Sequence, residues 1–122
     1  MAIKKLDRIL TWHKYGNKCA YCGKDITYKE LQVDHIIPKR RFGYGVRKNL
    51  PDYSVDDIRN LNPSCRRCNH YKRAYSVEQY RALLMSLHER LENTYLNKVG
   101  LDYKILQVTK WSGRFYFEDI KT

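Results

Sequence analysis

The 122-residue sequence is short of acid: Asp and Glu number 13 against 24 Lys and Arg, a formal charge of 24 − 13 = +11. A small chain this basic is expected to meet a polyanion, and nucleic acid is the first candidate. Membrane attachment, the rival reading, would need a strongly apolar helix face or span. No apolar run here is long enough to cross a bilayer. The first residues, Met1 to Lys5, lack the apolar stretch and small-residue cleavage site of a secretory signal. The expectation is therefore a reducing, cytoplasmic setting in which disulfides do not persist. There is no low-complexity segment, and no repeat beyond two short cysteine motifs. The length suits one domain over residues 1–122, with one core of modest size.

No cysteine is left over either. Cys19 and Cys22 form one Cys-x-x-Cys pair, and Cys65 and Cys68 form the other. Such a turn presents two sulfurs from one compact knuckle, and two knuckles supply the four thiolates of a structural zinc site. A bound Zn2+ with four thiolates lowers the net charge by about two, so the basic surplus survives. The knuckles are separated by residues 23–64, so binding closes a long loop and couples the metal to folding. Gly23 sits where the first knuckle needs close backbone approach.

Ile3, Leu6, Ile9 and Leu10 recur at helical spacing, and Gly16-Asn17 supplies a stop. Thr27 to Ile37 reads as a strand or hairpin ending at Pro38, and Ile58 to Leu61 as a short second strand. Lys39 to Asp57 is loop-like. The second knuckle opens a helix running to about Tyr75. Ser76 and Gln79 make a capping box for a long helix over 76–97, with a stripe at Tyr80, Leu83, Leu84, Leu87, Leu91 and Tyr95. Tyr103 to Trp111 and Phe115 to Ile120, parted by Ser112-Gly113, read as a terminal β-hairpin.

Asp34-His35 lies between the knuckles at the end of an apolar strand. Taken alone, a histidine there is usually an ordinary residue. Together, however, Cys19-x-x-Cys22, Val33-Asp34-His35-Ile36-Ile37-Pro38, Asn60-Leu61 and Cys65-x-x-Cys68-Asn69-x-x-Lys72 resemble the HNH nuclease family. The ending Phe115-Tyr116-Phe117-Glu118 is similar to the tails of small phage and bacterial HNH proteins. The resemblance implies an α+β fold: a ββα-metal (His-Me finger) core over about 19–75, stapled by the four-cysteine zinc. Flanking helices and the C-terminal hairpin complete it over 76–122.

The resemblance also implies a metal-dependent DNA endonuclease. His35 falls on the general base, and imidazole's unperturbed pKa suits that task near neutrality. Asp34 is the implied ligand of a divalent ion, provided the backbone turns its side chain toward the site. Asn69 is the implied second ligand, with His70 as its rival. Oxygen donors of this kind suit Mg2+ or Mn2+. Asn60 is implied to brace the loop and orient His35.

Lys39, Arg40, Arg41, Arg47, Lys48, Arg66, Arg67, Lys72 and Arg73 are the expected phosphate contacts. Such contacts would hold a duplex without reading its sequence. One such site would nick as a monomer, leaving a 5′-phosphate and a 3′-hydroxyl, and a homodimer would be needed to cut both strands together. Two other readings stay open: a non-catalytic zinc-stabilised DNA-binding module, and a nuclease directed at RNA. The cytoplasm of a bacterial host cell is the expected setting, with the chain of phage or bacterial origin.

Overall fold

A computed structural model describes the protein over residues 3–42 and 50–120. Its centre is a two-stranded antiparallel sheet, β1 (Gln32–His35) and β2 (Leu61–Ser64). The register pairs Gln32 with Ser64, Val33 with Pro63, Asp34 with Asn62 and His35 with Leu61. Every residue of β2 is buried. Pro63 is tolerated because a two-stranded sheet has an unpaired edge on each strand, where a missing N–H costs no ladder bond.

β1 is shorter than the strand expected over 27–37, and β2 is displaced from the expected 58–61, sharing only Leu61 with it. Thr27 to Glu30 is a turn, in which the Thr27 hydroxyl accepts from the Glu30 N–H at 3.2 Å and the Glu30 carboxylate accepts from the Thr27 N–H at 3.0 Å. Such local side-chain bonds compete with a strand ladder. Residues Ile58–Asn60 form a 3-10 turn capped by Asp57, whose side chain accepts from the Arg59 N–H. The second strand therefore begins only at Leu61.

Helix α1 (Lys5–His13) packs with a face other than its apolar stripe. Leu6 and Leu10 are exposed, whereas Thr11 is fully buried and Trp12 donates from Nε1 to the Ile26 carbonyl at 2.9 Å. Lys39–Phe42 forms the short helix α2. Helix α3 (Arg66–Lys72) follows β2 with Cys65 as its N-cap and packs on β1.

The long helix expected over 76–97 is three pieces: α4 (Val77–Met85), α5 (Leu87–Glu92) and α6 (Tyr95–Asp102). The capping box of Ser76 and Gln79 starts α4 as read from the sequence. At the first break the Ser86 hydroxyl donates to the Leu83 carbonyl, and at the second the Thr94 side chain caps α6. Tyr80 is buried and Leu83 and Leu84 half-buried, but Leu91 and Tyr95 face solvent.

The expected terminal hairpin is not found: no residue of 103–120 is in a strand. Residues 103–110 are all exposed, with no partner strand to satisfy them. Beyond them, the Phe115 N–H bonds the Glu118 carboxylate at 2.8 Å and opens the short helix α7 (Tyr116–Asp119). The N–H groups of Tyr116 and Phe117 bond the carbonyls of Tyr21 and Ala20 at 3.1 and 2.8 Å. The C-terminal segment thus docks on the first cysteine knuckle. Phe115, 1% exposed, stacks on Tyr80 at 5.4 Å and meets the edge of Tyr21 at 5.2 Å.

The core is therefore an aromatic cluster wrapped around the cysteines. No helix among the described residues is long and apolar enough to cross a membrane.

Candidate active site and metal centre

The cysteine knuckles come together as their spacing demands. The four sulfurs lie within 4.8 Å of one another, and Cys22 and Cys65 Sγ are 3.9 Å apart. Tetrahedral zinc at about 2.3 Å from each sulfur would separate them by about 3.8 Å. All four are free thiols, three of them buried. Crowded like this, they cannot all ionise without a cation. Hydrogen bonds from Cys22 and Cys68 hold Cys19 far below the usual thiol range, and bonding to Cys19 and Cys22 pushes Cys68 far above it. A divalent ion among the sulfurs removes that conflict. The cluster can hold a metal such as zinc.

The backbone around it is specific. Gly23 has φ +79°, and its N–H bonds the Cys19 carbonyl at 3.0 Å. A Cβ on Gly23 would come within 2.9 Å of the Tyr116 ring, so the close approach there is to α7. The Ala20 N–H bonds the Pro63 carbonyl at 2.8 Å, tying the first knuckle to β2. The Cys65 sulfur accepts from the Cys68 N–H at the start of α3.

Closing the knuckles lays α3 against β1. Val33, Asp34, His35, Pro38, Lys39, Asn69, Arg73 and Ala74 line one cavity of about 250 Å3. Asn69 is half-buried, and its side-chain amide has no hydrogen-bond partner among the described residues. His70 is exposed and lies outside the cavity lining. Asn69 and Arg73 share one helix face because they are four residues apart.

Asp34 is 4% exposed and sits in a buried network. The Tyr21 hydroxyl donates to its Oδ2 at 2.5 Å, and Lys72 Nζ lies 3.2 Å from Oδ1 and 3.1 Å from Oδ2. Lys72 also donates to the carbonyls of Tyr75 at 2.6 Å and His35 at 3.3 Å. Burial pushes the Asp34 carboxyl upward, while Lys72 and Tyr21 pull it back. Burial likewise raises the Tyr21 phenol well above its ordinary value.

Lys72 corrects an expectation. It is fully buried and committed to Asp34, so it is not a phosphate contact. Its position was legible: Lys72 lies four residues after the buried Cys68, on the same inward face of α3.

His35 is held from the opposite direction. Its Nε2 is 2.8 Å from Asp56 Oδ1. Asn60, fully buried, does not touch that ring. Its Oδ1 accepts from the Ile37 N–H at 2.9 Å, and its Nδ2 donates to the carbonyls of Val55 at 2.9 Å and Ile37 at 3.2 Å. It staples the exit of β1 to the segment carrying Asp56. Sequence reasoning missed Asp56 and Tyr21. For Asp56 there was a signal: Asp56-Asp57 is an acidic pair in a basic region.

The basic residues divide into two groups. Lys39 and Arg73 line the cavity and are exposed. Arg73 ends α3 with φ +54°, a left-handed-region backbone for a non-glycine residue. Arg66 and Arg67 are exposed at the knuckle end, with Lys24 and Lys29, along a separate cavity. Arg41 is exposed on α2. The side chain of Arg40, with Arg47 and Lys48, lies outside the described residues.

A two-stranded antiparallel sheet with α3 packed on β1, His35 at a strand end and Asn69 on the helix, is consistent with an HNH fold. Residues 19–74, a little under half the chain, match the family model described as HNH endonuclease. Over 55 residues the chain is 40% identical to the CRISPR-associated endonuclease Cas9 of Corynebacterium diphtheriae (strain ATCC 700971 / NCTC 13129 / Biotype gravis). That match covers 45% of this chain but only 4% of the relative. No solved structure matches.

Proposed function

We propose that the protein is a divalent-metal-dependent DNA endonuclease in which His35 is the general base and Asp34 and Asn69 hold the catalytic ion. The observation that carries this reading is the single cavity shared by Asp34, His35 and Asn69, within the segment that matches the HNH family. The catalytic unit is the core of residues 19–75, and residues 76–119 act as its scaffold. A Cas9 endonuclease as relative supports nuclease chemistry in the shared segment.

The donor set fits a hard ion. Asp34 and Asn69 both offer oxygen, the donor that a hard ion such as Mg2+ prefers, and would be the residues that hold it. Lys72 and Tyr21 reach Asp34 from the buried side and are absent from the cavity lining, so the cavity-facing part of the carboxylate is left for the ion. Such an ion, when bound, would neutralise charge on the phosphate and on the departing oxygen.

The chain's own groups do the rest. His35 takes the proton of the attacking water as that water adds to phosphorus and the bond from phosphorus to the 3′ oxygen breaks, that oxygen taking its proton from solvent water. Lys39 and Arg73 face the phosphate as it gains negative charge. Lys72, in contact with both carboxylate oxygens of Asp34, favours its ionised form against the cost of burial. Asn60 fixes the loop beside His35. Arg41, Arg66 and Arg67 hold the duplex backbone further out, with Arg40 on the same basic run. The cysteine cluster holds zinc and stays away from the chemistry. One such site cuts one strand, so a monomer nicks.

A parallel digestion of supercoiled plasmid, single-stranded DNA and RNA in Mg2+ and in Mn2+ tests the substrate assignment. Conversion of plasmid to open circles, with 5′-phosphate ends and intact RNA, is the expected result. Cleavage of RNA in preference to duplex DNA overturns it.

A further inference from the structure

We propose that Asp56 is the positioning residue for His35, fixing its ring with the proton on Nε2 and the Nδ1 lone pair free. The inference rests on the reading of His35 as the base and extends it to a carboxylate that the motif does not contain. A carboxylate accepts hydrogen bonds and does not donate them, so the 2.8 Å contact from Asp56 Oδ1 requires His35 Nε2 to carry hydrogen. In the neutral ring the other nitrogen is then the acceptor. No described residue hydrogen-bonds Nδ1, and His35 lines the cavity shared with Asp34 and Asn69.

The neighbouring carboxylate cannot take this role. Asp34 is committed to Lys72 and Tyr21. Asp56, by contrast, is held in place on both sides. The Val55 carbonyl before it is bonded by Asn60 Nδ2, and the Asp57 side chain after it caps the 3-10 turn. Asn60 also bonds both backbone groups of Ile37, two residues beyond His35. Asn60 therefore acts on the ring through Asp56: it fixes the distance between the strand end and the loop, and Asp56 converts that distance into a ring orientation. A base fixed in tautomer and orientation keeps its lone pair aimed at the attacking water.

The test has two readouts on zinc-loaded full-length protein. Long-range proton–nitrogen spectra of 15N-labelled protein, with His35 assigned by its loss in His35→Ala, give the tautomer directly. The expected wild-type pattern is protonated Nε2 and bare Nδ1, and Asp56→Ala gives a mixture of tautomers. In plasmid nicking with Mg2+, Asp56→Ala lowers kcat roughly 10- to 100-fold, with KM within about twofold of wild type. A general loss of structure would move KM, the melting curve and the other histidine signals as well.

If Asp56→Ala fails to fold, the isosteric Asp56→Asn carries both readouts, because an amide presents Nε2 with a donor as well as an acceptor. An unchanged tautomer together with an unchanged kcat overturns the proposal. A wild-type protein that does not nick sinks the nuclease reading instead, and the tautomer spectra still decide the role of Asp56.

Discussion

Lys72 brings its ammonium group into the interior, where Asp34 is its acidic partner among the described residues. Removing one partner of a buried pair leaves the other charge uncompensated, which costs about 3–5 kcal/mol. Lys72→Ala is therefore expected to lower stability by that amount in a denaturant titration, far more than Arg66→Ala on the exposed face. An equal, small effect of the two would contradict the buried pairing. Gly23 makes a second residue-scale case. Its φ of +79° and the Tyr116 ring against it leave no room for a side chain. Gly23→Ala should cost about 1–3 kcal/mol in the same measurement.

What the sequence disclosed at this scale follows from locality. The cysteine spacing and the Asp34, His35 and Asn69 motif are short-range patterns with a chemical reason, and the structure gathers them around one sheet. Tyr21, Lys72 and Asp56 act across the fold, at separations of 13, 38 and 21 residues from their partners. No periodicity marks them, although the acidic pair at Asp56-Asp57 and the Cys68–Lys72 helical spacing were there to be used.

At the scale of elements, β1, α3 and the start of α4 were legible, β2 was read three residues too early, and the C-terminus was not legible. β-forming residues over 103–111 imitate a strand, but a strand needs a partner, and the local bonds of Arg114, Phe115, Glu118 and Asp119 take the backbone elsewhere. What anchors this segment is Arg81 of α4. It bonds Glu118 at 2.8 and 2.6 Å and also reaches the Gly113 carbonyl. Hydrogen bonding from Arg81, foremost among its causes, holds the Glu118 carboxyl below its ordinary value.

A carboxyl depressed in the folded state stabilises the fold above its unfolded pKa, about 4.3, and loses that contribution as pH falls through the folded value. The melting temperature should therefore fall on acidification below that point. Glu118→Gln should start lower at neutral pH and fall less. Parallel curves for the two proteins would show that the clamp adds nothing.

For the whole molecule, the four-cysteine cluster is the feature on which the rest is expected to depend. The core is small and aromatic, and its aromatic side chains pack around the cysteines and the C-terminal segment. Metal binding and folding should then be one transition. Stripping zinc with a strong chelator is expected to abolish the cooperative melt, and native mass spectrometry should find one zinc per chain. A folded, zinc-free protein would contradict the four-thiolate site.

We infer that a metal-dependent nuclease site lies in the gap that the knuckles close. It is tested most directly by nicking of supercoiled plasmid across a Mg2+ titration, with wild type, His35→Ala and Asn69→Ala side by side. Wild type should give Mg2+-dependent open circles, and His35→Ala none above background. Asn69→Ala should need more Mg2+ to reach half its maximal rate. Identical traces from wild type and His35→Ala at every Mg2+ concentration would contradict it.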